Sequence, residues 1–198
     1  MMDPREDDFR EPTKENSPEE IKPETPLSFI WVLIKEITFI LIIAYALAFL
    51  LKTLIIQPFM IPSGSMEPTL YAGDYVLVSK FIYKLKEPAR SDIVVFEAPF
   101  DSQKDYIKRV IAAGGESVEV KSGTVYINGK KIEEPYVINA QDLSNFGPII
   151  VPEDKLFVMG DNRPNSQDSR IFGPIPENVV LGKAILIYWP LQRAGKLR

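Results

Sequence analysis

Ile37-Thr38-Phe39-Ile40-Leu41-Ile42-Ile43-Ala44-Tyr45-Ala46-Leu47-Ala48-Phe49-Leu50-Leu51 carries no charge, and soon after it the chain reads Gln57-Pro58-Phe59-Met60-Ile61-Pro62-Ser63-Gly64-Ser65-Met66-Glu67-Pro68-Thr69-Leu70. The first stretch has the composition of a segment dissolved in lipid, and the second that of a tight turn presenting hydroxyls. As a helix the uncharged run covers about 22 Å. Crossing a bilayer takes roughly 20 residues, so the apolar flanks must contribute, and we read residues 29–56 as one transmembrane anchor. Lys35, Glu36 and Lys52 lie near its ends, where long stems carry charge to the interface. A buried core helix of this length would show an amphipathic stripe. A cleaved secretory leader would follow a basic segment and place small residues after the apolar run. Here the preceding segment is acidic, and Ala46 and Ala48 lie inside the run. Lys14, Lys22 and Lys35 on the amino side, against Lys52 alone close on the other, predict a cytoplasmic N-terminus and an extracytoplasmic domain.

The chain has 198 residues and a formal charge of -4. Residues 1–26 hold nine acidic and four basic side chains, leaving 18 acidic and 19 basic residues for the remainder. The acidity therefore belongs to a Pro-rich segment with too few aliphatic side chains to offset its ordering entropy, and residues 1–28 are expected to form a disordered tail. No stretch concentrates Lys and Arg as a nucleic-acid footprint would. There is no cysteine and no histidine. That excludes disulfides, thiolate nucleophiles, an imidazole base and Cys- or His-ligated metals, so neither metal nor other cofactor is expected.

Beyond the anchor, residues 57–198 change to short alternating or β-branched runs: 75–78, 93–96, 106–112, 117–120, 124–127, 156–159 and 184–188. They predict a mostly β domain. Asn128-Gly129 between apolar runs signals a type I′ hairpin. Residues 133–152 show weak periodicity and are read as an excursion from the core.

A serine in a Pro- and Gly-flanked turn is a candidate nucleophile, although the same composition suits an ordinary linker. Without histidine, the best remaining base is a lysine made neutral by desolvation. Lys108, in Tyr106-Ile107-Lys108-Arg109-Val110, sits in such an apolar setting. To be substantially neutral near pH 8 its pKa must fall by roughly 2 units, worth on the order of 2.7 kcal/mol. Strand alternation sends Arg109 to the opposite face.

Three blocks in this order resemble the signature of the bacterial type I signal peptidases: Ser63-Gly64-Ser65-Met66-Glu67-Pro68-Thr69-Leu70, then Tyr106-Ile107-Lys108-Arg109-Val110, then Gly160-Asp161-Asn162-Arg163-Pro164-Asn165-Ser166-Gln167-Asp168-Ser169-Arg170. The resemblance runs from the anchor to about Ala184. It implies a signal-peptidase-like β fold and a membrane-bound serine endopeptidase of the bacterial cytoplasmic membrane, which removes signal peptides from exported preproteins by cutting after an Ala-x-Ala type site. It further implies Ser65 as nucleophile, Lys108 as base, and an oxyanion hole formed by the Ser65 N–H and the Ser63 hydroxyl. Ser166 matches a serine that orients the lysine, and Asp168 and Arg170 match a supporting ion pair. Asp161 and Asn162 belong to a turn that floors the site. Ile61, Pro62, Met66, Leu70, Tyr106 and Ile107 match pocket-lining positions, with Phe59 beside them. Its implied partners are preproteins and membrane lipid. The segment Ala112-Ala113-Gly114-Gly115-Glu116 departs from the family's usual Gly-Leu-Pro-Gly-Asp type of turn. Two other readings stay open: a self-cleaving repressor type of Ser/Lys protease, which is soluble and carries a DNA-binding unit, and an anchored β module that binds extended peptides without cutting them.

Overall fold

The structure is a computed structural model that describes residues 26–54, 56–138 and 142–197. The acidic tail expected over 1–28 lies outside the described residues as far as residue 25. The chain divides into two units, Met1–Tyr45 and Ala46–Arg198.

Helix α1 (Pro26–Leu54) contains a 22-residue apolar stretch, Phe29–Leu50, whose side chains are exposed all round. By length and composition it is able to cross a bilayer. The helix stops at Leu54, two residues short of the expected anchor boundary, and Ile56 already belongs to a strand.

The second unit is built of strands β1 (Ile56–Met60), β2 (Tyr75–Ser79), β3 (Ile93–Ala98), β4 (Asp101–Ala112), β5 (Ser117–Lys121), β6 (Thr124–Ile127), β7 (Lys130–Lys131), β8 (Phe146–Ile150), β9 (Lys155–Met159), β10 (Ile175–Pro176), β11 (Val180–Trp189) and β12 (Gly195–Lys196), with a one-turn helix α2 (Ser169–Phe172). Eight strands form the larger sheet in the order β1-β2-β11-β3-β4-β9-β10, with β12 added to β11. Four form the smaller one, β7-β6-β5-β8. All seven runs expected to be strands are strands.

The larger sheet is covered on both faces, which explains why its inner strands read as unbroken apolar runs. On β3, Ile93 and Val95 enter one core cluster while Val94 and Phe96 enter another. On β9, Leu156 and Val158 enter the second cluster, and Phe157 and Met159 enter a third. That third cluster also holds Ile111 of β4, Val118 and Val120 of β5, and Val125 and Ile127 of β6, so it joins the two sheets. The Asn128-Gly129 turn has φ of 51° and 75°, with Ile127 opposite Lys130, the hairpin expected from its sequence. The departing Ala113–Glu116 segment closes by a hydrogen bond from Glu116 N–H to Ala113 O, with Gly115 at φ 79°.

Besides the two-residue strands β10 and β12, two longer strands are not legible in the sequence, both at sheet edges and both containing proline. Pro58 lies in β1, which among the described residues pairs only with β2. Gly147 and Pro148 lie in β8, which among the described residues pairs only with β5 and shifts register between Val118 and Val120. A proline lacks the ladder donor but is harmless where that side of the strand has no neighbour. The expected excursion over 133–152 therefore contributes a strand to the smaller sheet.

Phe157 is completely enclosed, and its ring lies 5.2 Å from that of Phe146 on β8. Phe157→Ala is expected to lower stability by about 3–5 kcal/mol, measured by denaturant unfolding of the detergent-solubilised chain. A loss below about 1 kcal/mol would mean that the sheets do not share this core.

Candidate active site

Ser65 lies in a single 3-10 turn, Gly64–Met66, entered from Ser63 in extended conformation. The turn's internal hydrogen bond runs from Glu67 N–H to Gly64 O. The first N–H groups of such a turn have no carbonyl partner within it, and the Ser65 N–H is one of them. Ser65 is 8% exposed and Lys108 only 4%. Lys108 extends from the middle of β4, and its Nζ donates to Ser65 Oγ at 2.8 Å and to Ile107 O at 3.0 Å. The Tyr106 ring centroid is 5.4 Å from the same nitrogen. Burial pushes the Lys108 pKa down to about 8, against the opposing pull of the Asp168 and Asp161 carboxylates. The amine therefore has a substantial neutral fraction only as the pH approaches about 8.

Both side chains open into a cleft of about 910 Å³. Phe59, Met60, Pro62 and Ser63 form one side of it, Lys104 to Ile107 another, and Pro164 to Gln167 with Ile171 a third. On the flank of β4 away from β3, β9 pairs only with Arg109 to Ala112. From Lys108 back toward Asp101 that flank has no ladder partner among the described residues.

The structure divides the expected pocket set. Pro62, Tyr106 and Ile107 line the cleft, as does Phe59. Ile61, Met66 and Leu70 do not. They are enclosed in the core cluster beneath it with Val76, Val78 and Ile93. The cause is the 3-10 turn, which turns Met66 inward just after Ser65 has faced the cleft, while Leu70 follows by donating its N–H to Met66 O.

The expected supporting residues converge on the Ser65 turn from behind. Asn162 donates its backbone N–H to Ser65 O at 3.1 Å and its Nδ2 to Gly64 O at 2.9 Å. At Gly160 a Cβ would overlap Ser65 O and the Ser166 hydroxyl, so only glycine lets these backbones approach. Asp168 caps α2, accepts the Gly160 N–H at 3.1 Å and pairs with Arg170 at 2.9 Å. Asp161 binds Arg109 through Nε (2.9 Å) and Nη2 (2.7 Å), with both side chains enclosed, and accepts from Thr69 Oγ1 at 2.6 Å. Ser166 lines the cleft beside Lys108, but its buried Oγ has no hydrogen-bond partner, so the lysine-orienting contact implied by resemblance is not made.

Sequence reasoning missed the outer partners. Arg163 pairs with Glu134, and Arg170 with Asp142 and Ser144. No local pattern marks Glu134, the second of two adjacent glutamates, or Asp142, because both lie in a weakly periodic segment. Among the described residues no group of three or more acidic side chains gathers as metal ligands would.

Residues 34–189 match the family model described as signal peptidase, peptidase S26. A probable signal peptidase I-2 of Synechocystis sp. is 39% identical over 89% of this chain and 81% of its own length. A signal peptidase I of Bacillus amyloliquefaciens is 42% identical over 76% of this chain and 82% of its own. The crystal structure of a signal peptidase I from Enterococcus faecalis is 36% identical, with a TM-score of 0.44 over 50% of this chain and 97% of that one.

The lowered pKa of Lys108 has a consequence for stability. The unfolded chain holds this proton up to about pH 10.4, the folded chain only to about 8, so stability rises with pH between those values. Lys108→Met is expected to abolish that rise and to be more stable than the parent at pH 7 by up to roughly 3 kcal/mol, measured by urea unfolding at pH 7 and pH 10. A parent whose stability is flat across this window would place the amine in solvent.

Proposed function

The chain belongs to the signal peptidase family, peptidase S26, and is a serine peptidase; from that premise we propose that Ser65 and Lys108 form its catalytic dyad and that it cuts signal peptides from exported preproteins after an Ala-x-Ala type site. The observation that carries this reading is the 2.8 Å approach of the Lys108 amine to the Ser65 hydroxyl inside a cleft that holds the amine's pKa near 8. A hydroxyl is a weak nucleophile until a base takes its proton, and a desolvated lysine is a sufficient base.

Neutral Nζ accepts the Ser65 proton as Oγ attacks the scissile carbonyl carbon. The oxyanion that forms is held by the Ser65 N–H and the Ser63 hydroxyl, donors whose loss typically costs about 10²- to 10³-fold in rate. The new ammonium gives its proton to the departing amine of the mature protein, the C–N bond breaks, and an ester to Ser65 remains. Nζ, neutral again, takes a proton from the water that attacks this ester and returns it to Oγ as the signal peptide leaves.

The substrate binds extended along the unpartnered flank of β4, as an added strand whose alternate side chains enter the cleft walls at Pro62, Tyr106 and Ile107. Walls this close to the nucleophile favour small residues near the cut. The apolar stretch Phe29–Leu50 anchors the enzyme in the cytoplasmic membrane with the N-terminus inside and the catalytic unit outside, a reading supported by its length and by the flanking lysines. Tethering enzyme and precursor to one lipid surface raises their encounter frequency.

The test is incubation of the solubilised chain, Ser65→Ala and Lys108→Ala with an exported precursor bearing an Ala-x-Ala site, the cut being located by mass spectrometry. Cleavage after the second small residue by the parent alone is expected, with a rate that climbs through about pH 8 and then levels as Nζ loses its proton. Full turnover by either variant removes the dyad. Retained precursor binding without cleavage by the parent would favour the peptide-binding module.

A further inference from the structure

Two buried arginines, Arg109 and Arg163, and the half-buried Arg170 surround the back of the site, and side chains from the weakly patterned segments on either side of residues 139–141 cap each of them. Arg163 Nε donates to Gly160 O at 3.1 Å, and its two terminal nitrogens grip Glu134. Arg170 uses all five of its N–H groups: Nε and Nη2 on Asp168, Nη2 also on Arg163 O at 2.6 Å, and Nη1 on Asp142 at 2.7 Å and Ser144 at 3.0 Å. Tyr136 stacks on Arg109, with its ring centroid 4.0 Å from the guanidinium carbon, and donates its hydroxyl to Glu134 at 3.0 Å.

We infer that Glu134 and Asp142 are positioning residues for the peptidase reaction, acting through Arg163 and Arg170 on the backbone of the Gly160–Arg163 turn and so on the nucleophile turn. The connection is continuous. Glu134 fixes Arg163, which holds Gly160 O; Asp142 fixes Arg170, which holds Arg163 O. Between these two gripped carbonyls lies Asn162, whose backbone and side-chain nitrogens hold Ser65 O and Gly64 O. Arg163 is 2% exposed, so a guanidinium left without its carboxylate has no water to turn to and must shift. A shift in this turn displaces the Ser65 hydroxyl and N–H together, and attack geometry is sensitive to displacements below 1 Å. Neither acid lines the cleft, so substrate binding is left unchanged.

The inference rests on the assignment of Ser65 as nucleophile, and the experiment separates the two. Glu134→Gln and Asp142→Asn are made in the full-length chain, reconstituted in lipid, and assayed well below their melting temperatures, each alone and in an Asn162→Ala background, with Ser65→Ala in parallel. Each single variant is expected to lose about tenfold in kcat with KM within about twofold, and to lose less than additively in the Asn162→Ala background, because that substitution removes the side-chain bond to Gly64 O, one of the two bonds through which the path reaches the Ser65 turn, and leaves the backbone bond to Ser65 O. A lowered melting temperature with unchanged kcat, a raised KM, or full additivity with Asn162→Ala would each overturn the positioning role. Where Glu134→Gln reduces the folded yield, Asp142→Asn reads the other arm of the same path. An active Ser65→Ala would instead overturn the nucleophile assignment and leave the behaviour of Glu134 to be read on its own.

Discussion

A lysine amine enclosed by protein, 4% exposed and 2.8 Å from a serine hydroxyl, is the constraint on which the rest of the second unit depends. An ammonium in that position is poorly solvated, and burial lowers its pKa to about 8. That shift requires a sheet closed on both faces. Lys108 sits opposite Val94 on β4, and the clusters on either side of β3 and β9 exclude water from its stem while the amine reaches the cleft. Burial that would be only a cost elsewhere here lowers the amine's pKa to about 8, as the base proposed for a chain with no histidine requires.

The same environment sets a problem of charge. Asp161 and Asp168 lie close enough to draw a proton back onto the amine, and both do so in part. Each is matched by an arginine, Arg109 for the first and Arg170 for the second, so the carboxylates keep their structural hydrogen bonds while much of their field is offset. Glu134 and Asp142 then balance the added positive charge. Buried ion pairs of this kind contribute little net stability, but each becomes costly when one partner is removed. Their value here is geometric: guanidiniums are planar forks that hold backbone carbonyls at set angles, and they hold the turn that carries Asn162.

Legibility in the sequence followed the range of the physics involved. Strands with period-two or continuous apolar runs were readable, as was the Asn128-Gly129 turn, because pleat and turn geometry act over a few residues. Ser65 and Lys108 were readable as candidates because the missing histidine and cysteine leave few other nucleophile-base pairs. β1 and β8 were hidden by Pro58 and by Gly147-Pro148, residues that end a central strand but are tolerated at an edge, and edge position is a property of the whole sheet. Met66, Leu70 and Ile61 match pocket-lining positions by resemblance, yet the 3-10 turn sends Met66 and Leu70 into the core, and Ile61, bonded through its backbone to Gly73 and Asp74, is enclosed with them.

What the sequence by itself determined is the inventory: an apolar segment of spanning length, a β-rich remainder, a serine turn, a lysine strand and an arginine-rich turn, all encoded in local composition and periodicity. Only the tertiary structure decided which of these meet. Ser65 and Lys108 are 43 positions apart, Asp161 is 52 from Arg109, and Glu134 is 29 from Arg163. Contacts at such separations depend on strand order and register, and a one-residue slip in β4 would turn Lys108 away from the cleft and Arg109 into it.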